Sequence, residues 1–203
     1  MKAITTLAVI GASGLLAAAA AQTAKVGAPA PDFEAVTASG ETVSLSDFAG
    51  ENVVLEWTND GCPFVQKHYD SGNMQSLQNR MTADGTVWLS VISSAPGQQG
   101  HVDGAGADAL TAERRAKPTH VILDPDGTLG RLYGAKTTPH MYVVDAGGTL
   151  RYAGAIDTIA STDPADVPRA DNYVEAALAA LRAGEAVTVS QTQPYGCSVK
   201  YAG

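Results

Sequence analysis

The stretch Asn52-Val53-Val54-Leu55-Glu56-Trp57-Thr58-Asn59-Asp60-Gly61-Cys62-Pro63-Phe64-Val65 decides the fold. Its first half, Asn52–Thr58, is a compact apolar and β-branched run, the pattern of a strand covered on both faces of an α/β sheet. Asn59-Asp60-Gly61 then ends the strand, because short polar residues and glycine favour turns. Pro63 suits the first position of a helix, where its missing N–H costs nothing, and the pattern predicts a helix from there to about Met81. Cys62 therefore stands between a strand's end and a helix's start, where the first backbone N–H groups have no helical acceptor. Those donors and the helix dipole favour a thiolate, the reactive form of cysteine. The plain alternative is a small buried residue with no chemistry.

Working outward, Thr86–Ile92 reads as a second buried strand, Ser93–Gly106 as a polar glycine-rich loop, and Ala107–Lys117 as a helix that stops before Pro118. A strand at His120–Leu123, a turn at Asp124-Pro125-Asp126-Gly127 and a short helix to about Tyr133 follow. Met141–Asp145 and Leu150–Ala153 flank Ala146-Gly147-Gly148 as a hairpin. Ala170–Ala183 is an amphipathic helix closed by Gly184. Upstream, Phe33–Thr37 and Thr42–Leu45 around Ala38-Ser39-Gly40 predict a short N-terminal hairpin. Alternating β-α-β units followed by β-β-α imply an α/β fold: a central mixed sheet flanked by helices on both faces. The last stretch, Ala186–Gly203, reads as a mostly extended tail carrying Cys197.

The chain has 203 residues, a length that suits one domain with a sizeable core. With 13 Lys+Arg against 21 Asp+Glu and a formal charge of −8, it lacks the clustered positive charge that nucleic acid rewards. Two cysteines cannot form a four-thiolate zinc site or a multi-bridge scaffold. Asp, Glu and His do not cluster at metal-ligand spacing, and no glycine-rich loop at a strand–helix junction could cradle phosphate, so neither metal nor cofactor is expected. Ala3–Ala20 is apolar or small after Lys2, and Ala19-Ala20-Ala21 offers the small residues of a cleavage site. Residues 1–21 therefore read as an export signal, with an uncleaved anchor as the alternative. The expected organisation is a signal over residues 1–21, one domain over 22–184 and a tail over 185–203. The mature chain would be periplasmic or secreted, with no membrane association after cleavage and its oligomeric state open. In an oxidising compartment, two thiols that the fold brings together become a disulfide unless something keeps them reduced.

From Gly27 to about Ala183 the chain resembles a redoxin domain of the thioredoxin-like superfamily. The opening GAPAPDFEAVTASGETVSLSDFAGENVVLEWTN carries the resemblance most strongly, followed by the strand-Cys-Pro-helix. Thr138-Pro139, just before the strand HMYVVD, matches the cis-proline loop that faces the active thiol in that superfamily. The resemblance implies a substrate groove shaped by Gly61, Pro63, Thr138 and Pro139 beside a nucleophilic Cys62. In thioredoxins a second cysteine stands three residues on, where this chain has Val65. Peroxiredoxins place Thr and Pro upstream of their cysteine, where this chain has Asn59 and Leu55. The chain looks like a peroxiredoxin-like subgroup marked by a CPF-V-KHY core, here Cys62 to Tyr69, and a C-terminal GCSVKY tail, here Gly196 to Tyr201.

The resemblance implies an exported thiol–disulfide oxidoreductase that takes a protein or small-molecule disulfide or thiol as its partner, with a thiol peroxidase as the alternative enzyme. Three readings of Cys197 stay open: a resolving thiol for Cys62, one end of a structural bridge in a redox-inert binding module, or a cysteine that never meets Cys62. Glu56, a carboxylate in an apolar strand, could transfer protons below the cysteine as its counterpart does in thioredoxins, or could be a paired structural group. Lys67 and His68 lie more than a turn along the helix and are not obvious proton partners. His140 faces either toward or away from the thiol, and a metal site of Cys62, Cys197 and His140 would have to be improvised.

Overall fold

The computed structural model describes residues 23–203, so the expected export signal lies outside the described residues. Strands are β1 Glu34–Thr37, β2 Thr42–Ser44, β3 Val53–Trp57, β4 Val87–Ile92, β5 His120–Leu123, β6 Thr137–Thr138, β7 His140–Val144, β8 Leu150–Gly154 and β9 Cys197–Ser198. Helices are α1 Pro63–Asp70, α2 Asn73–Ala83, α3 Gly104–Glu113, α4 Thr128–Tyr133 and α5 Tyr173–Arg182. Seven strands form one mixed sheet in the order β2-β1-β5-β4-β3-β7-β8. β3, β4 and β5 run parallel, as the intervening helices require, while β7 is antiparallel to β3 and to β8. The N-terminal hairpin extends the sheet through β1 against β5.

Strand alternation divides the core in two. Val53, Leu55 and Trp57 of β3 pack on one face with Leu89, Tyr142 and α4's Leu129 and Tyr133. Val54 packs on the other with Trp88, Met141 and Val143, under Val65 of α1, Leu77 of α2 and Val174 of α5. Every residue of β3 and β4 is buried, which is why both runs read as continuous apolar strands.

Several boundaries differ from the expectation: α3 is Gly104–Glu113 where Ala107–Lys117 was expected, α5 starts at Tyr173 where Ala170 was expected, and the largest difference is in the first helix. The helix predicted from Pro63 to about Met81 is two helices, broken at Ser71-Gly72, where Gly72 adopts φ +74. That left-handed conformation is cheap only for glycine, and it reorients the chain so that α2 packs separately on the sheet. Among the described residues no helix is long and apolar enough to cross a membrane.

Candidate functional site: two cysteines beneath a fastened tail

Cys62 is the residue before α1, in extended conformation. Its N–H donates to Asn59 O at 3.1 Å. Asn59 stiffens this turn through its side chain: Oδ1 accepts from Gly61 N at 3.0 Å, and Nδ2 donates to Gln99 O at 3.1 Å. Gln99 Nε2 returns a bond to Gly61 O at 2.9 Å. On one side of the cysteine, a Cβ at Gly61 would push aside the Gln99 side chain that bonds its carbonyl. On the other side lies Thr138-Pro139, joined by a cis peptide bond. The Cys62 thiol donates to Thr138 O at 3.0 Å. Cys62 is thereby fully buried, with 0% of its surface exposed.

The tail supplies the remaining cover. β9 pairs antiparallel with β6, placing Cys197 opposite Thr138. Just before it, Gly196 has φ +137, and a Cβ there would collide with the Thr138 carbonyl, so only glycine lets the tail come this close. The structure thus brings Cys62, Thr138, Pro139 and Cys197 together, with Gly61 and Pro63 framing the turn. The two cysteines are unbridged and adjacent, Cys62 buried and Cys197 partly exposed. Burial pushes the Cys62 thiol up. Polar neighbours outweigh it, first the Cys197 thiol and N–H and then the Val65 N–H, and hold Cys62 below the ordinary thiol value. Thr138 Oγ1, although buried, makes no hydrogen bond. Cys197 is pushed up to about 11, by burial first and then by its neighbour Cys62. The two thiols share one site, with Cys62 the more acidic of the pair.

Tyr195 fastens the tail ahead of Cys197. Its hydroxyl donates to the Asp157 carboxylate, and its ring lies 5.8 Å from that of Phe64. Asp157 is in turn held by Lys67 Nζ at 3.3 Å, with His68 Nε2 at 3.9 Å. Lys67 also donates to Ile159 O at 2.8 Å, and His68 Nδ1 bonds Asn73 Nδ2 at 2.9 Å. Burial pulls the His68 pKa down to about 4, with Asp157 opposing and Lys67 adding to the shift. Beyond Cys197, Val199 N donates to Lys136 O at 3.0 Å and Lys200 O accepts from Ala95 N at 2.8 Å. The Tyr201 ring fills the space over Gly127 and Gly130, its hydroxyl donates to Ala135 O at 2.9 Å, and Arg131 sits 4.6 Å above it.

Other expected residues stand elsewhere. Glu56 is fully buried on the sheet face under α1 and α2. It accepts from Tyr69 Oη at 2.8 Å, Trp88 Nε1 at 2.8 Å, Ser90 Oγ at 3.0 Å and Gln78 Nε2 at 3.1 Å. Burial pushes its carboxyl up despite these donors, and none of them belongs to a cysteine. His140 lies on the face of β7 that carries Tyr142, opposite the face against which Cys62 packs, and its Nδ1 bonds the Lys136 N–H and the Tyr142 hydroxyl. His140 thus stands apart from the two cysteines, and among the described residues no three His, Cys, Asp or Glu are grouped to hold a metal ion. Lys67 and His68, set aside in the sequence as proton partners, are instead buried beneath the tail's anchor.

A family model described as AhpC/TSA matches residues 26–153, well over half of the chain. The chain belongs to the AhpC/TSA family. The matched segment of this family member holds Cys62, Thr138 and Pro139, while Cys197 and its tail lie beyond it. Among solved structures, a hypothetical protein from Sinorhizobium meliloti is 20% identical with a TM-score of 0.72, covering 89% of this chain and 97% of its own. An uncharacterised protein from Geobacillus kaustophilus is 22% identical with a TM-score of 0.74, covering 88% and 93%. A protein from Chlorobium tepidum, provisionally described as the thiol:disulfide interchange protein DsbE, is 27% identical with a TM-score of 0.53, covering 64% and 85%. The fold is thioredoxin-like. A search of curated proteins found no match.

Proposed function

We propose that this protein is a thiol–disulfide oxidoreductase that cycles Cys62 and Cys197 between dithiol and disulfide. The observation that carries the reading is the juxtaposition of the two: residues far apart in sequence share a hydrogen-bonded site in which one thiol is held low and the other high. The family and the interchange protein from Chlorobium tepidum support the same chemistry. Cys62, as thiolate, attacks one sulfur of a substrate disulfide and expels the other as a thiolate, forming a mixed disulfide. Cys197 then loses its proton and attacks Cys62 Sγ. The internal bond forms, the second substrate thiolate leaves, and two electrons have passed to the substrate. Because Cys62 is covered, the tail must lift for the first attack. The apolar segment over residues 1–21 supports an exported location, where disulfides persist.

Redox titration of residues 22–203, with thiol labelling read by mass, tests this. A reversible couple between roughly −120 and −270 mV is expected, the span of known oxidoreductases. Resistance to reduction below about −300 mV would mark a structural bridge in a redox-inert module. Cys62→Ser should abolish exchange, and Cys197→Ser should accumulate the mixed disulfide. A thiol peroxidase is the second reading. It is favoured by Thr138 Oγ1, a buried hydroxyl without a hydrogen-bond partner on the residue whose carbonyl holds Cys62, which could orient a peroxide. Peroxide consumption coupled to formation of the internal bridge would select it.

A further inference from the structure

The face of β7 that carries His140 and Tyr142 borders a cavity that the cysteine pair does not use. It measures about 310 Å³ and is lined by Lys25, Lys136, His140 and the tail at residues 191–194, among others. Its walls are fixed by backbone bonds. Ala24 N donates to Leu132 O at 3.1 Å, Gly27 N to Leu150 O at 2.8 Å and Thr192 N to Ala153 O at 3.1 Å. Thr192 Oγ1 also accepts from Ala155 N at 2.9 Å. The cavity is therefore formed before any ligand arrives.

His140 is 6% exposed. The Lys136 N–H donates to its Nδ1 at 3.3 Å, and the Tyr142 hydroxyl lies 3.2 Å from the same atom. Burial first, and then the charge of Lys136, hold His140 down at about 3, so the ring is neutral near neutral pH. A neutral imidazole that accepts at Nδ1 carries its proton on Nε2. Among the described residues Nε2 has no hydrogen-bond partner, and it is not one of the sealed unpartnered side-chain atoms, which are Thr58 Oγ1, Gln75 Oε1 and Thr138 Oγ1. Nε2 therefore meets open space, and the open space that His140 lines is this cavity. Among the described residues neither Lys25 nor Lys136 has an ion-pair partner. No described Asp or Glu lines the cavity, although the chain carries 21 acids against 13 Lys+Arg. The Tyr142 ring lies 4.5 Å from that of His140 and 5.5 Å from that of Tyr133. Both phenols donate to backbone carbonyls, Tyr142 to Tyr133 O and Tyr133 to Pro31 O, so these two residues offer the cavity apolar surface.

We propose that this cavity binds a small organic carboxylate, whose oxygens take the His140 Nε2–H and the charges of Lys25 and Lys136 while its carbon body lies against Tyr133 and Tyr142. An anion suits the site because it pairs two cations and supplies the acceptor that Nε2 lacks. A carboxylate suits it better than inorganic phosphate. The lining holds no arginine fork and no helix N-terminus, and the adjoining rings reward a carbon body. The site is separate from the cysteine pair, so its failure would leave the redox couple untouched.

The test titrates the isotope-labelled protein with benzoate, acetate, inorganic phosphate and the neutral benzamide, following by NMR the His140 ring nitrogens and the amides of Lys136 and Thr192. Saturable shifts at these residues with benzoate are expected, with acetate about tenfold weaker for want of a ring and benzamide weaker still. Lys25→Gln combined with Lys136→Gln should weaken benzoate about tenfold, and both lysines are exposed, so this variant keeps the fold. His140→Phe retains a ring against Tyr142 and removes the donor, which should weaken benzoate by about tenfold or more. Shifts that never saturate, benzamide binding as tightly as benzoate, phosphate binding more tightly than benzoate, or an unchanged benzoate affinity in the double lysine variant would each overturn the proposal.

Discussion

One turn of α1, Lys67-His68-Tyr69, serves two buried carboxylates. Tyr69 donates to Glu56, whose other partners are Gln78, Trp88 and Ser90. Lys67 pairs with Asp157, whose other partners include the Tyr195 hydroxyl and the Ile159 N–H. The first cluster is met wholly by neutral donors from the sheet and its helices, so it ties α1 and α2 to β3 and β4. The second is met by a cation and by a residue of the tail, so it ties α1 to the segment that covers Cys62. Two carboxylates of similar burial thus have different reach, and the difference lies in where their donors come from.

That contrast can be broken at four points. Removal of the closed cluster's acceptor should cost most. Glu56→Ala takes the acceptor from four buried donors, of which only Gln78 keeps a bond, to Tyr69 Oη, at about 3–5 kcal/mol in denaturant unfolding, yet alkylation of Cys62 in the folded dithiol protein should keep its wild-type rate. If that rate rises as it does for the second cluster, the two sites are not separate. Asp157→Ala strands the Lys67 charge in the interior and should cost about 3 kcal/mol. Here Cys62 alkylation should accelerate at least tenfold, and the tail should become sensitive to protease.

Tyr195→Phe is a narrower cut, because it keeps the ring against Phe64 and removes only the hydroxyl. Loss of about 1.4 kcal/mol of tail docking corresponds to roughly tenfold faster Cys62 alkylation, with little change in global unfolding. An unchanged rate would mean that the phenol does not fasten the tail. The smallest effect is on pH. Burial holds His68 at about 4, below its ordinary value of about 6.5. The unfolded chain therefore takes up the proton first, and the contribution of neutral His68 is complete above pH 6.5 and lost as pH falls toward 4. Between pH 6.5 and 5.5 the wild type should lose about 1 kcal/mol relative to His68→Gln. In that comparison the opposite-signed contribution of Glu56 is common to both proteins. Parallel stability curves would show that His68 is not held neutral by the fold.

Much of the architecture was legible because its signals are local. β3 and β4 carry unbroken apolar runs since both faces of the sheet are covered, and Pro63 after Gly61-Cys62 marks a strand–helix junction by its own backbone limits. The break at Gly72 was also written locally, in Ser71-Gly72-Asn73, but helical patterning on both sides masked it. Lys67 and His68 were not legible as buried groups. A charged residue on an amphipathic helix ordinarily faces water, and only the distant Asp157 makes their burial affordable in the folded state.

The sequence by itself determined an α/β sheet, a cysteine at a helix start whose backbone donors favour a thiolate, and a mostly extended tail carrying Cys197. Each follows from chemistry within a few residues. Tertiary structure alone decided that Cys197 lies against Cys62, that Thr138 is shared between them, and that Glu56 and His140 answer to other neighbours. Those outcomes depend on which side chains meet across long loops, and burial sets the charge of a buried group through partners that the sequence does not place beside it.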